Sequence, residues 1–241
     1  MFEYGVGIEL EVYVGTSGWL YDWNPRGNFD WYVKNSGLNA VELNASFYRF
    51  PYPNQVASWA KKGRGIRWSV KVHRAITHLR RLSTQALDVW DRFYQLFKPL
   101  DPYIDFYLFQ LPPTFTNTSE NRKRIEVFVD EVKLGSRFAI EFRHHSWFNS
   151  DTIDFCRALG ITVVSIDAPI ATWIVSSNGI VYLRMHGRSS WYAHNYSLDE
   201  LREIVRAVLS LKPLRVYVFF NNDHWMLENA RTMYKLLLEG V

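Results

Sequence analysis

Five short apolar runs in this sequence carry ionisable or amide residues at alternate positions toward their C-terminal ends. Glu42 and Asn44 oppose Val41 and Leu43. Ser69, Lys71 and His73 oppose Trp68, Val70 and Val72, and Glu141 and Arg143 oppose Ile140 and Phe142. Ser165 and Asp167 oppose Val164 and Ile166, and Tyr182, Arg184 and His186 oppose Val181, Leu183 and Met185. A spacing of two puts such side chains on one face of an extended strand. The residue types suit acid–base chemistry on an anion. Lys71, Arg143, Arg184 and Arg188 could clamp phosphate oxygens. Glu141 or Glu42 could act as general base with His73 or His186 as acid, and Asp167 completes the candidate catalytic set. Asn221 and Asn222 add amides near the C-terminus, and Trp19, Trp147, Tyr192 and Tyr196 could stack on sugars or bases. The opposing expectation is a closed layer in which Glu42, Glu141 and Asp167 neutralise Lys71, Arg143 and Arg184. Burying several charges rarely gains net stability, which weighs for a functional reason to keep them.

The elements that must position these groups are strands alternating with helices. Runs rich in Val, Ile, Tyr and Phe predict eight strands, at 11–15, 40–44, 66–72, 104–110, 137–142, 161–166, 180–186 and 215–220. Helical patterns cover 84–98, 119–134, 150–159, 197–211 and 224–239, with Ser83, Ser119 and the Ser197/Glu200 capping box as starts. This alternation predicts one domain, 1–241, folded as an α/β (β/α)8 barrel of the TIM type. The segment between Asp167 and the seventh strand is too short for a crossover helix. Thr172–Ser177 with Asn178-Gly179 looks like a strand and a tight turn, so that helix should be missing or vestigial. A doubly wound open sheet is the alternative, weakened by the lack of a GxGxxG loop. In a barrel the polar groups would face inward at the C-terminal ends of the strands, where such folds carry their sites. Parity does not decide Gln110, Asn221 or Asn222, which share faces with apolar neighbours.

Composition bounds the rest. With 241 residues, 48% hydrophobic, the chain can bury one large core, and no linker or internal repeat divides it. Ten Trp, fourteen Tyr and sixteen Phe are mostly expected in that core. A net charge of +4, with Arg outnumbering Lys, suits an anionic partner without demanding one. The single Cys156 excludes an intramolecular disulfide and a cysteine zinc site, and it falls on an apolar helix stripe as an inert buried thiol. No leader or spanning run is visible, so the cytoplasm is the expected compartment, with no membrane partner. Ser17, Ser46 and Ser146 lie outside any GxSxG elbow, which weakens a serine-hydrolase reading.

Seven segments, in order along the chain, resemble the motifs of the DUF72 (YecE-like) family. These are VYVGTSGWLYDW (12–23), VELNASFYRFP (41–51), KVHRAITHLRRL (71–82), FQLPPTF (109–115), IEFRHHSWF (140–148), YLRMHGR (182–188) and YVFFNND (217–223). The resemblance implies a barrel related in shape to xylose isomerase and endonuclease IV enzymes, and it implies little about reaction. Two departures stand out. The usual FYP is missing after GTSGW, with a short first crossover at 24–38, and HWMLENA follows FNND, where Trp225 could narrow the mouth. The related barrels use carboxylate and His metal ligands, a set that Glu42, Glu141, Asp167 and His186 could imitate. The inward cations compete for those acids, so a divalent metal is weakly supported, and no organic cofactor is expected. The preferred expectation is an enzyme acting on a phosphate-bearing small molecule or nucleic acid, by hydrolysis or lyase chemistry. A sugar or sugar-phosphate isomerase or epimerase is the second reading. A non-catalytic binding protein is the third; it requires Glu141 and His186 locked in mutual hydrogen bonds without a cavity between them.

Overall fold

A computed structural model describes residues 10–240. Eight parallel strands close into a barrel: β1 (Glu11–Thr16), β2 (Ala40–Leu43), β3 (Arg67–Lys71), β4 (Ile104–Gln110), β5 (Phe138–Glu141), β6 (Thr162–Ala168), β8 (Ile180–Met185) and β9 (Arg215–Phe220). The strands follow chain order around the cylinder, and β5 pairing with β6 seals it. The remaining strand, β7 (Ala171–Trp173), is antiparallel to β6, with Ile166 opposite Trp173. The crossover helix expected to be missing between β6 and β8 is replaced by this hairpin, and Gly179 makes the following turn at φ +80. Open doubly wound topology is thereby set aside.

Seven α-helices surround the barrel: α1 (Phe29–Asn35), α2 (Pro53–Lys62), α3 (Leu87–Phe97), α4 (Ser119–Val132), α5 (Ser150–Ala158), α6 (Leu198–Ser210) and α7 (Met226–Glu239). The five read from periodicity lie where expected; α1 and α2 lacked a strong pattern. α1 is only seven residues long, capped by Asn28, whose side chain accepts from the Trp31 amide. Ser197 and Glu200 form the reciprocal capping box of α6. Two caps differ from expectation. Thr118, rather than Ser119, accepts from the Asn121 amide. Ser83 makes no side-chain cap bond, because a 3₁₀ turn, Thr84–Ala86, intervenes before α3. Among the described residues no helix is long and apolar enough to cross a membrane.

Two packed layers hold the fold. Between barrel and helices lies the main apolar core, which buries Trp68, Trp90, Phe93, Phe109, Phe138 and Trp147. Inside the cylinder a smaller cluster contains Ala40, Phe106, Leu108, Ala139, Val164, Tyr182, Tyr217 and Phe219. Its members fix the inward parity of β2, β4, β5, β6, β8 and β9. Phe106 and Leu108 point inward, so Gln110 follows them, and Tyr217 and Phe219 carry Asn221 inward. Val164 also points inward, which contradicts the reading of β6: Ser165 and Asp167 lie on its outer parity. There Ser165 Oγ donates to the Val175 carbonyl and accepts from the Val175 amide, both at 2.9 Å, because the hairpin covers this face instead of an apolar helix.

Gly15 marks the tightest approach inside the cylinder. A Cβ there would sit 2.3 Å from the carbonyl oxygen of Ala40 on the neighbouring strand, a backbone atom that cannot swing away. Gly15→Ala should therefore destabilise the barrel by about 1–3 kcal/mol through overpacking. Thermal or urea unfolding would read this out, and a wild-type midpoint would show that β1 and β2 can part without cost.

Candidate functional site

At the C-terminal end of the barrel the inward side chains form one interlocked ionic layer. The Arg184 guanidinium lies between two carboxylates. It donates to Glu42 through Nη2 at 2.6 Å and Nε at 2.9 Å, and to Glu141 through Nη1. Tyr182 Oη and Ser17 Oγ also donate to Glu42, at 2.6 and 2.9 Å. Ser69 hydrogen-bonds Tyr182 at 2.6 Å. On the far side Arg143 pairs with Glu141 through Nε and donates through Nη2 to His186 Nε2 at 3.0 Å. Glu42, Glu141, Arg184 and His186 are all fully buried. β2, β5 and β8 thus supply one charged layer above the aromatic plug, as strand alternation dictates.

Electrostatics in this layer fix the protonation states. Burial alone would raise the pKa of Glu141, but Arg143 and Arg184 outweigh it and hold the carboxyl well below the usual range. Burial drives His186 the other way, well below the ordinary imidazole value, and the two guanidiniums add to the shift. Glu141 is an anion and His186 a neutral ring, 3.6 Å apart. The ring's Nδ1 is 3.3 Å from the Asn221 amide. The two share no direct hydrogen bond and are bridged by Arg143, so the mutual bond that the binding-protein reading required is absent, and the neutral ring is not the imidazolium a general acid needs. Arg184 has no donor left for a phosphate. Of the two expectations for these charges, the closed ion-pair layer describes Glu42, Glu141, Arg184 and Arg143.

Several other candidates stand elsewhere. Asp167, on the outer parity, accepts from Tyr196 at 2.7 Å, Thr172 at 2.6 Å and Arg188 at 3.1 Å, and none of these bonds reaches the ionic layer. Arg188 is further tied to Glu203. This joint fastens the segment after β8 to β6; it does not clamp a ligand. His73 lies past the end of β3, where its Nδ1 accepts from the Ala75 amide and its ring meets Phe50. It shapes the π-helical turn Ala75–Leu79. Trp147 is fully buried, stacked on Phe142 with centroids 4.2 Å apart, and its indole nitrogen donates to the Phe115 carbonyl. Asn222 is buried and donates to Asn229 and to the His194 carbonyl. Cys156 is buried, and burial pushes its thiol up to about 12.

The metal expectation also changes. Glu42, Glu141, Asp167 and His186 do not converge, since Asp167 faces outward and both glutamates are engaged by arginines. Among the described residues no three His, Cys, Asp or Glu side chains are grouped to hold an ion.

Five predicted residues do reach an accessible mouth: Asn44, Lys71, Arg143, Asn221 and Tyr192. Two clefts open there. One, about 290 Å³, is bounded by Trp19, Tyr21, Asn44 and Tyr48. Trp19 is mostly buried against Phe29, Trp59 and Trp68, so it offers an edge and no free face. The other cleft, about 470 Å³, lies among Pro113, Arg143, Ile170, Trp191 and Tyr192. The Arg143 guanidinium lies over Trp191 at 4.6 Å, and both aromatic rings of this loop contact His186. Trp191 and Ser17 were not foreseen. Ser17 could have been found, since it shares the inward parity of Tyr13 and Gly15. Trp191 sits in an irregular loop without periodicity.

The mouth is positively biased on one side. Residues 43–87 contain nine Lys and Arg and no Asp or Glu. The two loops of that stretch that follow β2 and β3 carry Arg49, Arg74 and Arg80, exposed and without a side-chain hydrogen bond or ion pair among the described residues. His78 registers the positive bias of this side. Its pKa falls to about 4, through burial first and then Lys71, Arg143, Arg74 and Arg81.

A closed parallel barrel with a buried ionic layer under a basic, aromatic-rimmed mouth is the class of protein these features define. The chain belongs to the family described as "Protein of unknown function DUF72", which matches residues 13–240. It is 27% identical over 141 residues to the UPF0759 protein YecE of Escherichia coli K12, a match covering 57% of this chain and 50% of YecE, so it spans about half the length of that relative. A DUF72 family protein from Enterococcus faecalis V583 superposes with a TM-score of 0.83 at 23% identity, covering 94% of this chain and 95% of that one. One from Thermotoga maritima MSB8 superposes at 0.81 and 27% identity, covering 95% and 99%.

Removing Arg184 would leave two buried carboxylates facing each other. Arg184→Ala should cost on the order of 3–5 kcal/mol, as for other broken buried pairs. Denaturant unfolding would measure it. A loss below about 1 kcal/mol would mean that the layer is hydrated and not structural.

Proposed function

We propose that the mouth of this barrel accepts a phosphate-bearing small ligand, a sugar phosphate in preference to nucleic acid, as the substrate of an enzyme. The observation that carries this reading is the acid-free stretch 43–87, which places the unpaired Arg49, Arg74 and Arg80 on adjacent loops beside the open strand ends. Guanidinium groups without carboxylate partners are suited to phosphate oxygens. The cleft of about 290 Å³ beside Trp19, Asn44 and Tyr48 supports a ligand of monosaccharide size, with an aromatic wall and an amide for hydroxyl groups. The ionic layer beneath serves as a rigid floor, since its carboxylates are already paired.

Glu141 and His186, both engaged by Arg143, favour a second reading, in which the same mouth holds this ligand without transforming it. Both readings share the binding test, and turnover of the bound compound separates them. Calorimetric titration at low ionic strength with ribose 5-phosphate, ribose and a short single-stranded oligonucleotide should give phosphate-dependent binding that weakens with salt. The double variant R74A/R80A should weaken it roughly tenfold or more, about 1.4 kcal/mol or more. Equal affinity for ribose and its phosphate, or an unaltered double variant, would remove the anion site. Binding of the oligonucleotide alone would replace the small ligand by a polymer.

A further inference from the structure

Lys71 is, among the described residues, a cation of the inner wall that the ionic layer leaves unused. It ends β3 on the inward parity, two residues beyond Ser69, which belongs to the layer. Its Nζ lies 4.1 Å from the ring centre of Phe47 and has no hydrogen bond or carboxylate within 4.0 Å among the described residues. Glu42 and Glu141, the nearby acids, are held by Arg184, Tyr182, Ser17 and Arg143. The side chain remains partly accessible at the mouth. An amine so placed adds little as a structural element, because beyond the Phe47 ring it has no hydrogen bond or ion pair among the described residues.

From this placement we infer that Lys71 is a nucleophile that forms an imine with the carbonyl carbon of an open-chain sugar phosphate. The inference rests on the proposed phosphate-bearing ligand and names the reaction at the same mouth. The Nζ lone pair attacks the carbonyl carbon to give a carbinolamine. That species takes up one proton from solvent at the open mouth, expels the former carbonyl oxygen as water and leaves a protonated imine. No oxidant or reductant is consumed. The iminium draws electrons from the adjacent carbon, which loosens its C–H or C–C bond, as isomerisation or cleavage of such sugars requires.

The surroundings favour the free amine. Burial lowers the Lys71 pKa to about 7, and Arg184 from β8 and Arg143 beyond β5 contribute, while Glu141 and Glu42 oppose without prevailing. His78, on the loop after β3, is neutral and adds no counter-charge. Near pH 7 about half of the Lys71 side chains carry a lone pair, against roughly one in several thousand for an ordinary lysine. Burial and the two guanidiniums bring about this shift without a hydrogen-bonded partner that would block attack.

The experiment is reductive trapping. Full-length protein is incubated with ribose 5-phosphate or with uncharged glyceraldehyde, reduced with sodium cyanoborohydride, and digested for peptide mass mapping. Ribose 5-phosphate should add preferentially to the peptide containing Lys71, at a rate that rises between pH 6 and 8, and Lys71→Arg should lose that adduct at least tenfold. Mapping the wild-type protein reads the site directly, so a misfolded variant does not decide the matter. Adducts spread over surface lysines, or none at Lys71 with either probe, would overturn the proposal. Trapping of glyceraldehyde at Lys71 without any advantage for the phosphate would keep the nucleophile and discard the phosphate reading. Calorimetric binding of ribose 5-phosphate without trapping would do the reverse.

Discussion

The guanidinium of Arg184 is the fixed point of this molecule. A charged residue without exposure at the centre of a barrel is tolerable only if every donor is engaged, and here Glu42, Glu141, His186 and Asn44 engage them. Three strands far apart in sequence, β2, β5 and β8, are thereby held in one register about the axis. Their mutual dependence explains why other groups can be spared. Neutralised from within, the floor carries little field of its own, so the character of the mouth is set by residues that the layer excludes.

Much of the architecture could be read directly. Strand periodicity specifies the eight barrel strands and helical periodicity five of the helices between them, and the shortness of the segment after Asp167 specifies the missing helix. The inward placement of Glu42, Lys71, Glu141, Arg184 and His186 followed from alternation alone. What alternation could not tell was which of two neighbouring faces looks inward in β6. Val164 and Ser165 are equally compatible with either side, and the ordinary assumption that the outer face is apolar failed where a hairpin with its own polar backbone covers it. Asp167 was misassigned for that reason.

The roles within the site were less legible than its location. Whether an inward carboxylate is a base or a structural anion depends on how close the nearest guanidinium comes, and that distance is set by rotamers across the cylinder. Trp147 and Asn222 were misread similarly. A conspicuous aromatic or amide near a strand end is equally at home under a loop, where Trp147 finds the Phe115 carbonyl and Asn222 finds Asn229. The acid-free character of residues 43–87 is plain in the sequence, yet it gains meaning only once the two loops are seen side by side.

The hairpin in place of the sixth crossover helix has a consequence for the ancestry of such barrels. Units of strand plus helix can be exchanged between barrels when each presents an oily back to its neighbours. β6 does not: Ser165 and Asp167 on its back are satisfied by the chain from Thr172 to Val175. A transplanted helix would strand Ser165 against hydrocarbon and cost Asp167 its bond from Thr172. This strand and its hairpin can only be inherited together, which makes the pair a seam along which recombination with ordinary barrels is barred.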